Sequence, residues 1–207
     1  LRLSQDIHFS RAFALRNVNA PDSYINREWN WAVRQAYLKQ DDGLLLAAAK
    51  RATDMGWYDR AIYAADRTVS KHNYSLRYAM PHQPYVVSHS QNAGIDPAWA
   101  YGLMRQESRF VSNARSHVGA GGLMQIMPDT AKLVARQMGE TYNPAALSDM
   151  NTNIRYGTFY LSMIQNQLSS SPVLATAGYN AGPNRARRWQ PDDQGIAADQ
   201  YAESIPL

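Results

Sequence analysis

The chain contains no cysteine, which excludes disulfide staples and thiolate metal sites while saying nothing of compartment. Long apolar runs are missing too. The longest aliphatic block, Leu44 to Ala49, is far shorter than the roughly 20 residues that a bilayer-spanning helix needs, so no transmembrane segment is expected. No secretory signal pattern opens the chain and it does not begin with Met, as expected of a processed chain or an excised fragment. Blocks of one charge are also scarce. The formal net charge is +4, and only Arg185, Arg187 and Arg188 stand close together, a cluster that reads first as a solvated helix end. Such scattering argues against a nucleic-acid stripe, while the mild excess still favours anionic partners such as wall polymers or anionic membrane.

Several chemistries fail for want of parts. The five histidines lie far apart and no HExxH pattern occurs, so no metal site and no cofactor are expected. His117, the one histidine near a motif, reads as an exposed loop residue rather than a base. There is no GxSxG elbow. Gly119-Ala120-Gly121-Gly122 lacks the Lys and Ser/Thr of a phosphate loop and follows no strand, which argues against nucleotide binding.

What is present is helical. Hydrophobic residues make up 45% of the 207, enough for a core, and no stretch sustains period-two alternation. Arg2 to Asn17 predicts a first helix, and Ala20-Pro21-Asp22-Ser23 starts a second running through Trp29, Trp31 and Ala36. Leu44 to Ala52 follows Asp41-Asp42, and Asp59 to Val69 carries Ile62, Tyr63 and Ala65 at helical spacing. These helical hairpins resemble an α-solenoid, with the tryptophans and tyrosines read as helix-packing residues in preference to a sugar platform. His72 to Pro84 reads as a linker, which places a boundary between residues 1–80 and 81–207. Beyond it Asp96-Pro97 caps a helix, Pro128 opens one ending at Gly139, Asp149 caps a longer one, and Ser171-Pro172 starts another that stops at Gly182-Pro183. A short hairpin in the glycine-rich loop is the most strand the pattern allows.

On the helix after Asp96, Ala100, Leu103, Met104 and Glu107 share one face. A carboxylic acid ending an inward face before a glycine-rich turn is partly desolvated, which raises its pKa toward that of a working general acid. Periodicity alone leaves this reading and a plain helix-end glutamate equally open. A standard glycosidase needs a second carboxylate, and the next acid in sequence, Asp129, is explained as a helix N-terminal residue. If Glu107 works on a glycosidic bond, it works largely alone.

Three separated motifs then resemble one family. Glu107-Ser108-Arg109-Phe110 with Ser116, Gly119-Ala120 and Gly122-Leu123-Met124-Gln125-Ile126-Met127-Pro128 is similar to the signature of the soluble lytic transglycosylases. Asn153 to Leu161 and Ala177-Gly178-Tyr179-Asn180-Ala181-Gly182-Pro183 resemble its two later motifs, in order. Tyr58 to Ala65 is similar to the end of the helical superhelix that precedes the catalytic domain in large periplasmic members. Ser112 stands where many members have Pro, and the chain stops where the family continues into another helix.

The resemblance implies a mostly α protein: a superhelix and linker segment over 1–80, then a goose-lysozyme-like catalytic domain over 81–207. It implies non-hydrolytic cleavage of the MurNAc-β-1,4-GlcNAc bond of peptidoglycan, leaving 1,6-anhydro ends, with Glu107 as acid and then base. Ser116 would orient the carboxyl or the substrate, Gln125 and Met127 would line sugar subsites, Tyr179 and Asn180 would stand at the cleft, and Glu203 would face it. The implied partners are glycan strands and other cell-wall enzymes, and the implied location is the bacterial periplasm or the periplasmic side of the outer membrane. A true lysozyme and a catalytically silent wall-binding module are the alternatives.

Overall fold

The computed structural model describes residues 2–169, 171–190 and 197–206. Two compact units divide the chain, Leu1–Pro81 and His82–Leu207.

The first unit contains α1 (Arg2–Gln5), α2 (Ile7–Asn17), α3 (Asp22–Leu38), α4 (Asp42–Asp54), α5 (Tyr58–Ala65) and α6 (Tyr74–Arg77). The first helix expected from sequence is broken at Asp6, whose carboxylate accepts hydrogen bonds from the His8 and Phe9 amides and so caps α2. Phe9, Trp29 and Trp57 form an aromatic centre, with ring centroids 5.2 Å apart for Phe9–Trp29 and 5.0 Å for Trp29–Trp57. Ala48, Ala49, Ala52, Ala61, Ala64 and Ala65 are fully buried, and these small side chains let α4 and α5 pack closely. Trp31 does not join this core and stays 50% exposed, because two residues along a helix turn a side chain through about 200°.

Helix α5 ends at Ala65, short of the Val69 expected from sequence. Segment 69–71 instead wraps the carboxylate of Asp42, which accepts from the amides of Val69, Ser70 and Lys71 and from the Ser70 hydroxyl. The stretch read as a linker holds α6, capped by the Asn73 side chain on the Leu76 amide.

The second unit contains α7 (Gln83–Ala93), α8 (Pro97–Glu107), α9 (Pro128–Gln137), a 3-10 turn (Pro144–Leu147), α10 (Met150–Gln167), α11 (Pro172–Ala181), α12 (Pro183–Arg188) and α13 (Ala198–Ser204). Asp96, Asp149 and Ser171 cap α8, α10 and α11 through the amides of Ala98, Thr152 and Leu174. Helix α10 is the hub, packing against α7, α9 and α11, and its Ile154, Leu161 and Ile164 are fully buried. The described residues form no named strand. The glycine-rich loop holds only the isolated bridges Arg115–Gly121 and Gly121–Ile126, so the protein is mostly α. Among the described residues no helix is long and apolar enough to cross a membrane.

Candidate active site

Glu107 is the last residue of α8. Its neighbour Ser108 turns the chain: the Ser108 hydroxyl donates to the Leu123 carbonyl at 2.7 Å and accepts from the Phe110 amide at 3.1 Å. Arg109 and Phe110 then both take positive φ, a costly backbone for non-glycine residues. The end of α8 is thereby tied to the glycine-rich loop, and Glu107 has a fixed place at their junction.

The loop is in turn held by α10 and α11. Asn153 is buried, and its side-chain oxygen accepts from the Met124 amide at 2.9 Å while its nitrogen donates to the carbonyls of Gly121 and Leu147. The Tyr179 hydroxyl donates to the Met124 carbonyl at 2.8 Å. Glycine is required twice here. A Cβ at Gly122 (φ +77°) would meet the Asn153 amide and the Leu147 carbonyl, and one at Gly157 would meet the Met124 side chain.

Glu107 opens onto a cleft of about 760 Å³, shared with Trp99, Leu103 and Gln106 of α8, Thr176 and Asn180 of α11, and Ala202 of α13. The Trp99 indole N–H donates to the Thr176 hydroxyl at 3.0 Å, joining α8 to α11 along the wall. Glu107 is the one acidic residue among the described residues lining the cleft. Burial raises its pKa above the ordinary carboxylate value. The Tyr179 hydroxyl is pushed well above the usual tyrosine range, first by burial, then by the charge of Glu107 and by Tyr160. Tyr179 is therefore a permanent hydrogen-bond donor. No group of His, Asp and Glu able to hold a metal occurs among the described residues.

The residues singled out from sequence fall in four places. Glu107 and Asn180 share the cleft, and Tyr179 lies close enough for the Glu107 charge to act on it. Ser116 and Gln125 lie in the loop: the Ser116 hydroxyl accepts from the Ala120 amide, and the Gln125 amide donates to the carbonyls of Ala114 and Gly122. Met127 is the N-cap of α9 and is 39% exposed. Glu203 is exposed on α13, whose Ala202 and Ile205, not Glu203, line the cleft. Sequence reading missed the Trp99–Thr176 pair, 77 residues apart, which no local pattern reports. The role of Asn153 left a trace: a polar residue on the stripe of Gly157, Leu161 and Ile164 needs buried partners.

A helical domain that holds one half-buried carboxylic acid in an open cleft is lysozyme-like in build. Residues 84–201 match the Transglycosylase SLT domain, and the chain belongs to that family. The soluble lytic murein transglycosylase of Salmonella typhimurium is 32% identical over 162 residues, covering 77% of this chain and 25% of that protein. An inactive glutamate-to-glutamine mutant of the lytic transglycosylase Slt of Pseudomonas aeruginosa superposes with a TM-score of 0.85 at 37% identity, over 100% of this chain and 33% of that one. The 70 kDa soluble lytic transglycosylase Slt70 of Escherichia coli gives 0.78 at 30% identity, again over 100% and 33%. The chain thus spans about a quarter of the length of the curated relatives it matches.

Proposed function

We propose that this chain is a peptidoglycan lytic transglycosylase that cleaves the MurNAc-β-1,4-GlcNAc bond without water. The observation that carries the reading is Glu107, its pKa raised by burial, as the sole acid among the described residues lining the cleft. Protonated Glu107 gives its proton to the leaving glycosidic oxygen as the C1–O bond breaks. The muramic C6 hydroxyl oxygen then bonds to C1, and the Glu107 carboxylate takes back the hydroxyl proton, which leaves a 1,6-anhydro end. The nucleophile belongs to the substrate and is already at high effective concentration, so no second carboxylate is needed to position water.

In this reading residues 1–80 are the superhelix and linker segment and 81–207 the catalytic domain. Asn180 contacts the sugar beside Glu107, and Tyr179 holds the loop through Met124. Both N–H donors of the Gln125 amide are spent on loop carbonyls, so its oxygen is what it offers a sugar. Ser116 accepts from the Ala120 amide and keeps its own proton for substrate or carboxyl. Met127 supplies exposed apolar surface to a subsite, and Glu203, exposed on α13 next to Ala202 of the cleft wall, meets substrate at the rim. The setting is the periplasm or the periplasmic face of the outer membrane, with glycan strands and other wall enzymes as partners.

Digestion of purified sacculi with mass analysis of the released muropeptides tests the proposal. Anhydro ends are expected. Reducing muramic ends would make the chain a lysozyme instead, and binding without turnover would leave it a docking module.

A further inference from the structure

A second recessed surface lies in the first unit, outside the cleft. It is a groove of about 460 Å³ on α3 and the α5 end, lined among others by Arg27, Trp31, Arg34, Tyr37, Tyr63 and Arg67. None of its eight lining residues is acidic. The acids nearest in sequence to its arginines are Glu28, engaged by His8 Nδ1 at 2.6 Å, and Asp66, exposed beside Arg67 and itself engaged. The rings are exposed where a core would have buried them: Trp31 is 50% and Tyr37 42% exposed.

Two of the three arginines also lie against aromatic rings. The Arg67 guanidinium lies 4.7 Å from the Tyr63 ring centroid and donates to the Tyr63 hydroxyl at 3.1 Å. Arg27 lies 5.8 Å from the Tyr24 ring centroid. Stacking on an aromatic face uses the π-side of a guanidinium and leaves in-plane N–H groups for a carboxylate. Aromatic faces beside fixed cationic forks match a ligand that alternates apolar C–H surface with carboxylates. Sugar rings bearing carboxylated substituents have that alternation.

We propose that this groove is a second binding site for anionic glycan strands, holding the polymer by its carboxylates and ring faces away from the reacting bond. The assignment rests on the reading of the cleft as a peptidoglycan-cleaving site, because that reading makes a carboxylated glycan strand the polymer this chain meets. Charge complementarity selects the occupant: an uncharged polysaccharide would leave Arg27, Arg34 and Arg67 unanswered.

The test uses the 1–207 chain carrying Glu107→Gln, co-sedimented with purified sacculi, with and without Arg34→Ala and Trp31→Ala. Each groove change should weaken binding by roughly tenfold, the scale of one charge-assisted contact or one stacked ring. Added salt, or methylamidation of the wall carboxylates, should remove the Arg34 effect. In the chain that keeps Glu107, Arg34→Ala should leave cleavage of a short soluble muropeptide unchanged. Unaltered sacculus binding in both groove variants would overturn the proposal even if anhydro products form. Polyglutamate binding as tightly as the glycan, with the same loss in Arg34→Ala, would also overturn it, because the groove would then serve an acidic protein. If no substrate is turned over but groove-dependent sacculus binding remains, the groove stands and the cleavage reading falls.

Discussion

The hydroxyl of Tyr179, on α11, donates to the backbone carbonyl of Met124, 55 residues earlier in the chain, at 2.8 Å. The amide of the same Met124 is taken by Asn153 of α10. One residue of the glycine-rich loop is thus held at both of its backbone polar groups by side chains from two different helices.

Tyr179→Phe keeps the ring and its contact with Tyr160, whose centroid lies 5.4 Å away, but leaves the Met124 carbonyl unpaired in a residue with no exposed surface. Stability should fall by about 1–3 kcal/mol, read from urea denaturation. The turnover number on soluble muropeptides should drop with it, since the loop abutting Glu107 loses one of its anchors. An unchanged midpoint and rate would show that the bond contributes nothing.

Glu107→Gln removes the proposed proton donor and later base. Turnover should fall by about 10²–10⁴-fold, measured as anhydro-muropeptide release, with the helical circular dichroism intact. The same change should raise the melting temperature at neutral pH. Burial raises the Glu107 pKa in the folded chain, so folding is favoured by its proton below the unfolded value and penalised as pH rises through the raised one. Glutamine never carries that charge, and the gap in melting temperature between variant and parent should close in acid.

The pH profile of the parent chain follows from the same group. In the proposed mechanism the acid form starts the reaction, so kcat/KM should decline as pH rises through the elevated Glu107 value, with an alkaline limb absent from a variant that has lost the donor. A rate still climbing in alkali would assign the proton to another residue.

Asp42 carries a comparable role for folding in the first unit. Burial opposes its charge, but three backbone amides and the Ser70 hydroxyl outweigh that and hold its pKa far below the ordinary range. Its stabilisation is present above the unfolded value of about 3.9 and is lost as pH falls through the depressed folded one. Asp42→Ala strands the amides of Val69, Ser70 and Lys71 and should cost about 2–4 kcal/mol at neutral pH, shrinking toward acid. Asp42→Asn, which keeps one acceptor oxygen, should cost less.

Much of the helical order was legible because it is written locally. Asp96, Asp149 and Ser171 announce helix starts, and each caps its helix through an amide two or three residues on. The face of α8 that carries Glu107 follows from spacing alone. Helix α7 escaped because its apolar signal is thin. Only Val86 and Ser90 are buried along it, and Pro84 was read as linker although proline in a first turn is a start signal. The end of α5 escaped for a different reason: an acid at the start of α4 collects the amides that would otherwise follow that helix. Trp31 carried no mark separating it from Trp29, since composition does not say which side of α3 faces the core. The site was legible where it rests on Glu107 and the loop glycines. It was not where it rests on Asn153, on Trp99 and on the bond from Tyr179 to Met124, whose partners are tens of residues away.

The double hold on Met124 also sets how the protein fails when warmed. The loop beside Glu107 has turns and isolated bridges of its own, but Met124 within it is held from α10 and α11. Heat that loosens α11 from α10 releases Met124 while most helical hydrogen bonds survive. Loss of the cleft's geometry on heating should then precede melting of the helices, so that cleft lifetime would follow one helix–helix contact and not the stability of the whole chain.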